Sequence, residues 1–162
     1  MKQLSYICFL CICIMSQFSF FSCDKLPDNG KLDGMWQLTS IEKNGKVEDV
    51  KAKAKYWSVR LRLFQYSSNR SITPQVYYSH FTKEGSTLVL RDFCTQASYE
   101  KEGDDNEWMS MDESSILNEW GIYCTPDASD NKKVTSTFHI AELTGSSMIL
   151  TTDSTKLTFR KF

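Results

Sequence analysis

Residues 30–38 of the chain read GKLDGMWQL, and residues 157–162 read LTFRKF. The first stretch leads into residues 35–43, whose composition and spacing predict a β-strand. Asn44-Gly45 follows directly and is a strong signal for a two-residue hairpin turn, so residues 46–50 are predicted to return beside the first strand. The second stretch belongs to the last predicted strand, and the two sequences together mark the predicted ends of the fold.

Alternation of apolar and polar side chains predicts the other strands. In residues 56–66, Trp57, Leu61 and Leu63 share one face, which is typical of a strand with one dry side. The remaining strand candidates are residues 75–83, 87–93, 134–143, 148–152 and 156–162. Seven or eight strands with mostly short links predict an all-β fold, an antiparallel meander barrel of about eight strands.

One short helix is predicted in the middle of the chain, at residues 113–120. Asp112 is in position to cap its start, and Gly121 suits its C-terminal cap. Ile116 and Trp120 lie four residues apart on one face of this helix. The acidic stretch before it, residues 99–107, is predicted to be a solvated loop.

Residues 1–22 differ from the rest of the chain and predict a signal peptide. Lys2 is their one charged residue, and residues 6–15 are almost entirely apolar, a run too short to span a membrane stably. Residues 23–32 contain a turn signal and few apolar side chains, which predicts a tether. The folded domain is therefore expected over residues 33–162.

The junction Ser22-Cys23 resembles the cleavage site of a bacterial lipoprotein, although Phe20 replaces the usual aliphatic residue. The resemblance implies that Cys23 receives a diacylglycerol and becomes the acylated N-terminus. The chain would then be attached through this lipid to a membrane of the cell envelope, expected to be the outer membrane. Which face of that membrane it occupies is left open.

The cysteines are consistent with this expectation. Cys8, Cys11 and Cys13 would leave with the signal peptide, and lipidation would use Cys23. The two that remain, Cys94 and Cys124, either form a disulfide in an oxidising compartment or stay as two buried free thiols.

Charge and motif content argue against several classes of function. Loss of Lys2 with the signal leaves 18 basic against 20 acidic residues, so there is no electrostatic basis for nucleic-acid binding. His80 and His139 show no metal-ligand spacing to a cysteine. The chain has no nucleophile elbow and no phosphate-binding glycine loop, so we expect neither catalysis nor a cofactor.

Gly34-Met35-Trp36 at the start of the fold and residues 157–162 at its end resemble the corresponding ends of calycins, the group that includes lipocalins. This resemblance implies that the Trp36 indole plugs the closed end of the barrel and that Arg160 lies over its ring. Residues 30–162 resemble, more narrowly, the small lipocalin-like lipoproteins of Gram-negative bacteria. The chain departs from lipocalins in placing its helix between strands.

Two kinds of function follow from such a barrel. It either binds a small hydrophobic ligand, with Trp57, Leu61 and Leu63 as inward-facing candidates, or has a filled interior and serves as an interaction or structural module for an envelope protein partner. An eight-stranded barrel is wide enough for either arrangement, so the strand count does not separate them.

Overall fold

The structure is a computed structural model that describes residues 28–69, 75–100 and 107–162. Ten β-strands lie within these ranges, mostly where apolar and polar side chains alternate. Their bounds are β1 Gly34–Lys43, β2 Lys46–Asp49, β3 Lys55–Arg60, β4 Leu63–Ser68, β5 Val76–Glu84, β6 Thr87–Thr95, β7 Thr125–Pro126, β8 Val134–Leu143, β9 Ser147–Thr151 and β10 Thr155–Lys161.

Eight of these strands close into an antiparallel barrel. Neighbouring strands follow the order β1, β3, β4, β5, β6, β8, β9 and β10, and β10 pairs back onto β1. The two other described strands are additions to this ring, because β2 pairs with β1 and β7 pairs with β8. The predicted antiparallel meander of about eight strands is confirmed.

The hairpin turn between β1 and β2 also forms where the sequence predicts it. Asn44 and Gly45 have φ values of +51° and +78°. Two successive residues with positive φ are the mark of a type I′ turn, which asparagine and glycine accept more readily than other residues.

The inner face of the barrel carries a continuous hydrophobic core. Its buried side chains belong to one cluster that extends from Leu32 to Phe159. Burial raises the pKa of the Tyr66 hydroxyl well above its usual range, and this hydroxyl shares a 2.7 Å hydrogen bond with Ser79 Oγ. Among the described residues this cluster lies within residues 32–159, so that part of the chain has what it needs to fold by itself.

The helical segment covers the barrel at the end away from Trp36. It starts as α2, Met111–Ser114, and continues as a 3₁₀-helix, Ser115–Trp120; a separate single turn, α1, spans Gln96–Tyr99. Ser110 precedes α2, and the Glu113 carboxylate accepts hydrogen bonds from the Ser110 backbone N–H and hydroxyl, 2.9 Å each. Asp112 is therefore inside the helix, which corrects its predicted role as the cap. Gly121 ends the segment with φ of +77°, as predicted.

The chain joins the barrel a few residues before the predicted boundary at residue 33. Gly30–Leu32 forms a 3₁₀ turn, and Leu32 is fully buried in the core. Residues 30–32, which the sequence assigned to the end of the tether, are therefore packed against the barrel. The predicted signal peptide and Cys23 lie outside the described residues. Within the described part of the chain, no helix has the length and apolar character needed to cross a bilayer.

Replacing Gly121 by alanine should destabilise the domain more than the same change at Gly45. Both residues have φ near +78°, but a Cβ atom on Gly121 would overlap the buried Leu157 side chain, whereas nothing lies within 4 Å of one on Gly45. We expect Gly121→Ala to lower the free energy of unfolding by about 3 kcal/mol and Gly45→Ala by about 1 kcal/mol, from backbone strain and overpacking. Urea denaturation of residues 24–162 measures both, and equal losses would contradict the contact with Leu157.

Candidate functional site

The closed end of the barrel is organised around Trp36, which is fully buried. Its Nε1–H donates a 2.8 Å hydrogen bond to the carbonyl oxygen of Leu32. Lys161 Nζ lies 4.9 Å from the centroid of the indole ring, within the range of a cation–π interaction. A Cβ atom on Gly34 would lie 2.8 Å from Lys161 Cε, so a glycine at this position leaves room for the lysine side chain.

The contact with the Trp36 ring is made by Lys161, which corrects the expectation for Arg160. Trp36 and Lys161 are directly paired between β1 and β10, so their side chains leave the sheet on the same face. Arg160 is one residue earlier and leaves on the opposite face. There its Nε–H donates a 2.7 Å hydrogen bond to Gln37 Oε1.

The interior of the barrel is filled at the level of Trp57. The indole ring makes edge-to-face contacts with Phe64, Tyr66, Phe138 and Phe159, at centroid distances of 4.9–6.0 Å. All five side chains are buried. A ligand at this depth would have to displace these rings, so Trp57 is a core residue of the barrel.

Leu61 and Leu63, the other two predicted lining residues, do not face a cavity with Trp57. Residues 56–66 are two strands rather than one, because β3 ends at Arg60 and β4 begins at Leu63. Leu61 lies in the turn between them with φ of +59° and is 37% exposed, and Leu63 is half-buried. After the turn, Phe64 and Tyr66 occupy the inner face. The prediction failed because this turn contains neither glycine nor asparagine.

Space for a ligand lies at the open end of the barrel, where β1 leaves β3. The two strands pair only from Gly34 to Gln37, and the second half of β1 pairs with β2 instead. This divergence leaves a groove of about 1080 Å³ between the β1–β2 hairpin, the start of β3 and the end of the helical segment. We call it the mouth groove; Ile41, Lys43, Val47, Lys55, Glu119 and Tyr123 are among its lining residues.

Lys55 is a buried cation in the wall of the mouth groove. Its side chain is 8% exposed, and its Nζ donates hydrogen bonds to the Glu119 carbonyl oxygen, 2.6 Å, and to Glu119 Oε2, 3.0 Å. The same ammonium lies 4.7 Å from the centroid of the Trp120 ring. The Glu119 side chain is 67% exposed. The lysine is therefore held in place by the backbone and the indole, while its carboxylate partner is largely in solvent.

The mouth groove is basic and has an aromatic wall. Lys43 Nζ lies 3.8 Å from the centroid of the Tyr123 ring. The lining contains four lysines and two glutamates, a formal excess of two positive charges. One of the glutamates, Glu48, pairs with Lys53, which lowers the pKa of its carboxyl. Glu119 is the other carboxylate in the lining, so the three remaining lysines have one acidic residue among them there.

Trp120 closes the barrel beneath the mouth groove. Its ring is buried and packs edge-to-face on Tyr77 at 5.3 Å. Its Nε1–H has no hydrogen-bond partner among the described residues. The helical segment thus separates the groove from the filled interior.

Sequence reasoning missed the lysines of the groove, although one signal for them was present. Lys55 alternates with Trp57 and Val59, so the period of β3 places it on the inner face. A lysine at such a position is unusual unless it is paired. Its partner Glu119 is distant in sequence, and only the tertiary structure brings the two together.

Cys94 and Cys124 are free thiols in the structure, which agrees with the second of the two alternatives and not with a disulfide. Cys94 is buried as that alternative expected, whereas Cys124 is half-buried. Burial raises the pKa of Cys94 to about 11 and that of Cys124 to about 12. Such thiols are almost entirely protonated near neutral pH and are poor nucleophiles. No group of three or more histidine, cysteine, aspartate or glutamate side chains in the described ranges is placed to hold a metal ion.

A family model described as a lipocalin-like domain matches residues 17–162. The chain belongs to the lipocalin-like family. This membership agrees with the closed antiparallel barrel and with the arrangement of Gly34, Trp36 and Lys161 at its closed end.

Two solved structures resemble this lipocalin-like domain. A lipocalin-like protein from Bacteroides uniformis shares 19% identity with a TM-score of 0.55, covering 82% of this chain and 100% of that one. An uncharacterized protein from Bacteroides eggerthii shares 21% identity with a TM-score of 0.57, covering 81% and 99%. These likenesses show the fold. A comparison with curated proteins finds no match.

The two thiols should react slowly in the native domain. With their pKa values raised to about 11 and 12, little thiolate is present at pH 8, and burial also limits access to Cys94. We expect residues 24–162 to react slowly with Ellman's reagent at pH 8. In guanidinium chloride the same protein should immediately release two equivalents of thionitrobenzoate per chain. A mass lower by two hydrogens without reductant, or no reactive thiol after unfolding, would show a disulfide instead.

Proposed function

We propose that this lipocalin-like protein is a non-catalytic binding lipoprotein that takes a small amphipathic ligand with an anionic group in the mouth groove. The observation that carries the proposal is the groove itself, an open space of about 1080 Å³ with a buried lysine in its wall, above a barrel filled at Trp57. Lipocalin-like domains are typically binding folds without enzymatic activity, which supports this class of function.

The positive charges favour an anionic group on the ligand. Lys55 is fixed by its hydrogen bond to the Glu119 backbone, so it does not depend on the Glu119 carboxylate to hold its position. A ligand carboxylate or phosphate can replace that exposed carboxylate at little cost, because the ammonium is already largely desolvated. Lys43, whose ammonium lies over the Tyr123 ring, is a second cation on the same groove.

The apolar part of the ligand is expected to lie along the groove rather than deep in the barrel. Ile41, Val47 and the Tyr123 ring provide apolar surface in its lining. Trp120 closes the barrel beneath the groove, and the rings around Trp57 fill the space below it, so the described residues leave no room for a ligand in the interior. The small hydrophobic ligand considered from the sequence is thereby refined to an amphipathic one that binds at the mouth.

Replacing Lys43 by glutamine should weaken the binding of an acidic amphiphile selectively. The probes are 11-(dansylamino)undecanoic acid and its methyl ester, followed by dansyl fluorescence on residues 24–162. Loss of one charge-assisted contact should reduce affinity for the acid about tenfold, or about 1.4 kcal/mol, and leave the ester unchanged.

Lys132→Gln is the matched control, since it removes an exposed lysine that is not part of the groove. Equal affinity of the wild-type domain for acid and ester would overturn the anionic specificity. Equal losses in the two variants would show that binding responds to net charge and not to the mouth groove.

The filled interior favours a second candidate, an interaction or structural module of the cell envelope that carries no ligand. Native mass spectrometry of the protein purified from its host envelope separates the two. A discrete bound mass that disappears on denaturation supports the binding protein. An unliganded mass that persists after exposure to host lipid extract supports the module.

The proposal includes an N-terminal lipid on Cys23 that attaches the protein to the outer membrane, supported by the signal-peptide pattern of residues 1–22. Cys23→Ala should therefore move the protein from membranes washed at high salt to the supernatant, because high salt removes protein that is held only by surface charges. Cys94→Ala is the control that keeps the acceptor cysteine. Intact-mass measurement of the membrane form should show the added acyl chains. An unmodified N-terminus downstream of Cys23 would refute the anchor.

A further inference from the structure

We infer that the closed end of the barrel is a docking surface for anionic phospholipid headgroups, which seats the domain on the membrane beside its lipid anchor. The inference rests on the proposed anchor at Cys23. The surface, called here the basic end, consists of four basic residues and three exposed apolar ones: Lys31, Arg60, Arg62, Lys161, Met35, Leu61 and Phe162.

Direct contacts hold the parts of the basic end together. Asn29 Nδ2 donates a 2.7 Å hydrogen bond to the Leu61 carbonyl oxygen, which joins the entering chain to the β3–β4 turn. Lys161 Nζ lies 3.3 Å from the Lys31 carbonyl oxygen, and the Phe162 backbone N–H donates a 2.8 Å hydrogen bond to the Met35 carbonyl oxygen. The basic end is therefore one continuous rim.

The charge of this rim differs from that of the whole mature chain. Its four basic residues face two nearby aspartates, Asp28 and Asp33, and Asp33 is engaged by the Asn29 backbone and side-chain amide. The β5–β6 hairpin at the same end adds Lys83 and Glu84, which offset each other, and the β8–β9 hairpin adds one exposed carboxylate, Glu142. The rim is thus net positive in a mature chain with more acidic than basic residues, and each lysine or arginine near an anionic membrane adds to the attraction.

Apolar side chains at the rim are suited to the membrane interface. Leu61 is at the tip of the turn, 37% exposed, with an arginine on each side. Met35 on β1 is 37% exposed. Phe162 follows β10 directly and is 67% exposed, with its ring edge-to-face against Tyr56 at a centroid distance of 5.2 Å. Arginines that flank an exposed leucine can reach headgroup phosphates while the leucine enters the headgroup region.

The position of the anchor identifies a membrane as the occupant of this surface. The described chain begins at Asp28, which is at the basic end because Asn29 is bonded to Leu61. Asp28 is five residues after Cys23, and a fully extended chain of that length spans at most about 18 Å. The described chain therefore begins within about 18 Å of the lipidated residue. A lipidated Cys23 therefore keeps the basic end close to the bilayer, and the mouth groove is at the opposite end of the barrel.

The test is sedimentation of residues 24–162 with vesicles of pure phosphatidylglycerol or pure phosphatidylcholine at low salt. This protein lacks Cys23, so the result does not depend on the anchor. We expect binding to phosphatidylglycerol and none to phosphatidylcholine. Arg60→Gln/Arg62→Gln should reduce the partition coefficient at least about tenfold, since each basic residue near the surface contributes to binding.

The matched control is Lys51→Gln/Lys132→Gln, which removes two exposed basic residues away from the basic end. Binding within about twofold of the wild-type value is expected for it, and thermal unfolding of both variants checks that the fold is kept. Equal losses in the two double variants, or no binding to phosphatidylglycerol, would overturn the inference. An unmodified N-terminus downstream of Cys23 in the envelope protein, with vesicle binding of residues 24–162 retained, would refute the anchor and leave the docking surface standing.

Discussion

The pairing of β1 with β10 is the constraint on which the rest of the structure depends. It joins the two ends of the domain, and the register set by Trp36 and Lys161 brings the cation onto the indole ring. A shift by one residue would exchange the inner and outer faces of the last strand and would leave Trp36 without that partner. Gly34 belongs to the same arrangement, since it gives the lysine side chain room to pass.

This closure separates the molecule into three levels. The basic end holds the entering chain, the aromatic rings around Trp57 fill the middle, and the mouth groove lies where β1 departs from β3. Packing at the middle level contributes strongly to the stability of the domain, because large buried aromatic rings remove much apolar area from water. The outer levels are then available for recognition, with polar and charged side chains held by the rigid barrel.

Much of the fold could be predicted from the sequence. Alternation in the strands and the Asn44-Gly45 turn are local signals. The resemblance at the two chain ends also correctly predicted that the first and last strands meet at Trp36. The identity of the cation depends on register, and register is a property of two strands that are distant in sequence. Leu61 was misplaced because a turn built from leucine and arginine has no local signature. The pair of Lys55 and Glu119 is set by tertiary packing alone.

The divergence that opens the mouth groove also creates an unpaired edge. Among the described residues β2 pairs with β1 alone, although a closed ring of strands otherwise has no free edge. An edge of this kind is a template for another strand and a route to aggregation. β2 has the sequence KVED, with three charged and exposed side chains, and charges at such an edge oppose strand addition. The hairpin can therefore stay open to small molecules without recruiting a second chain.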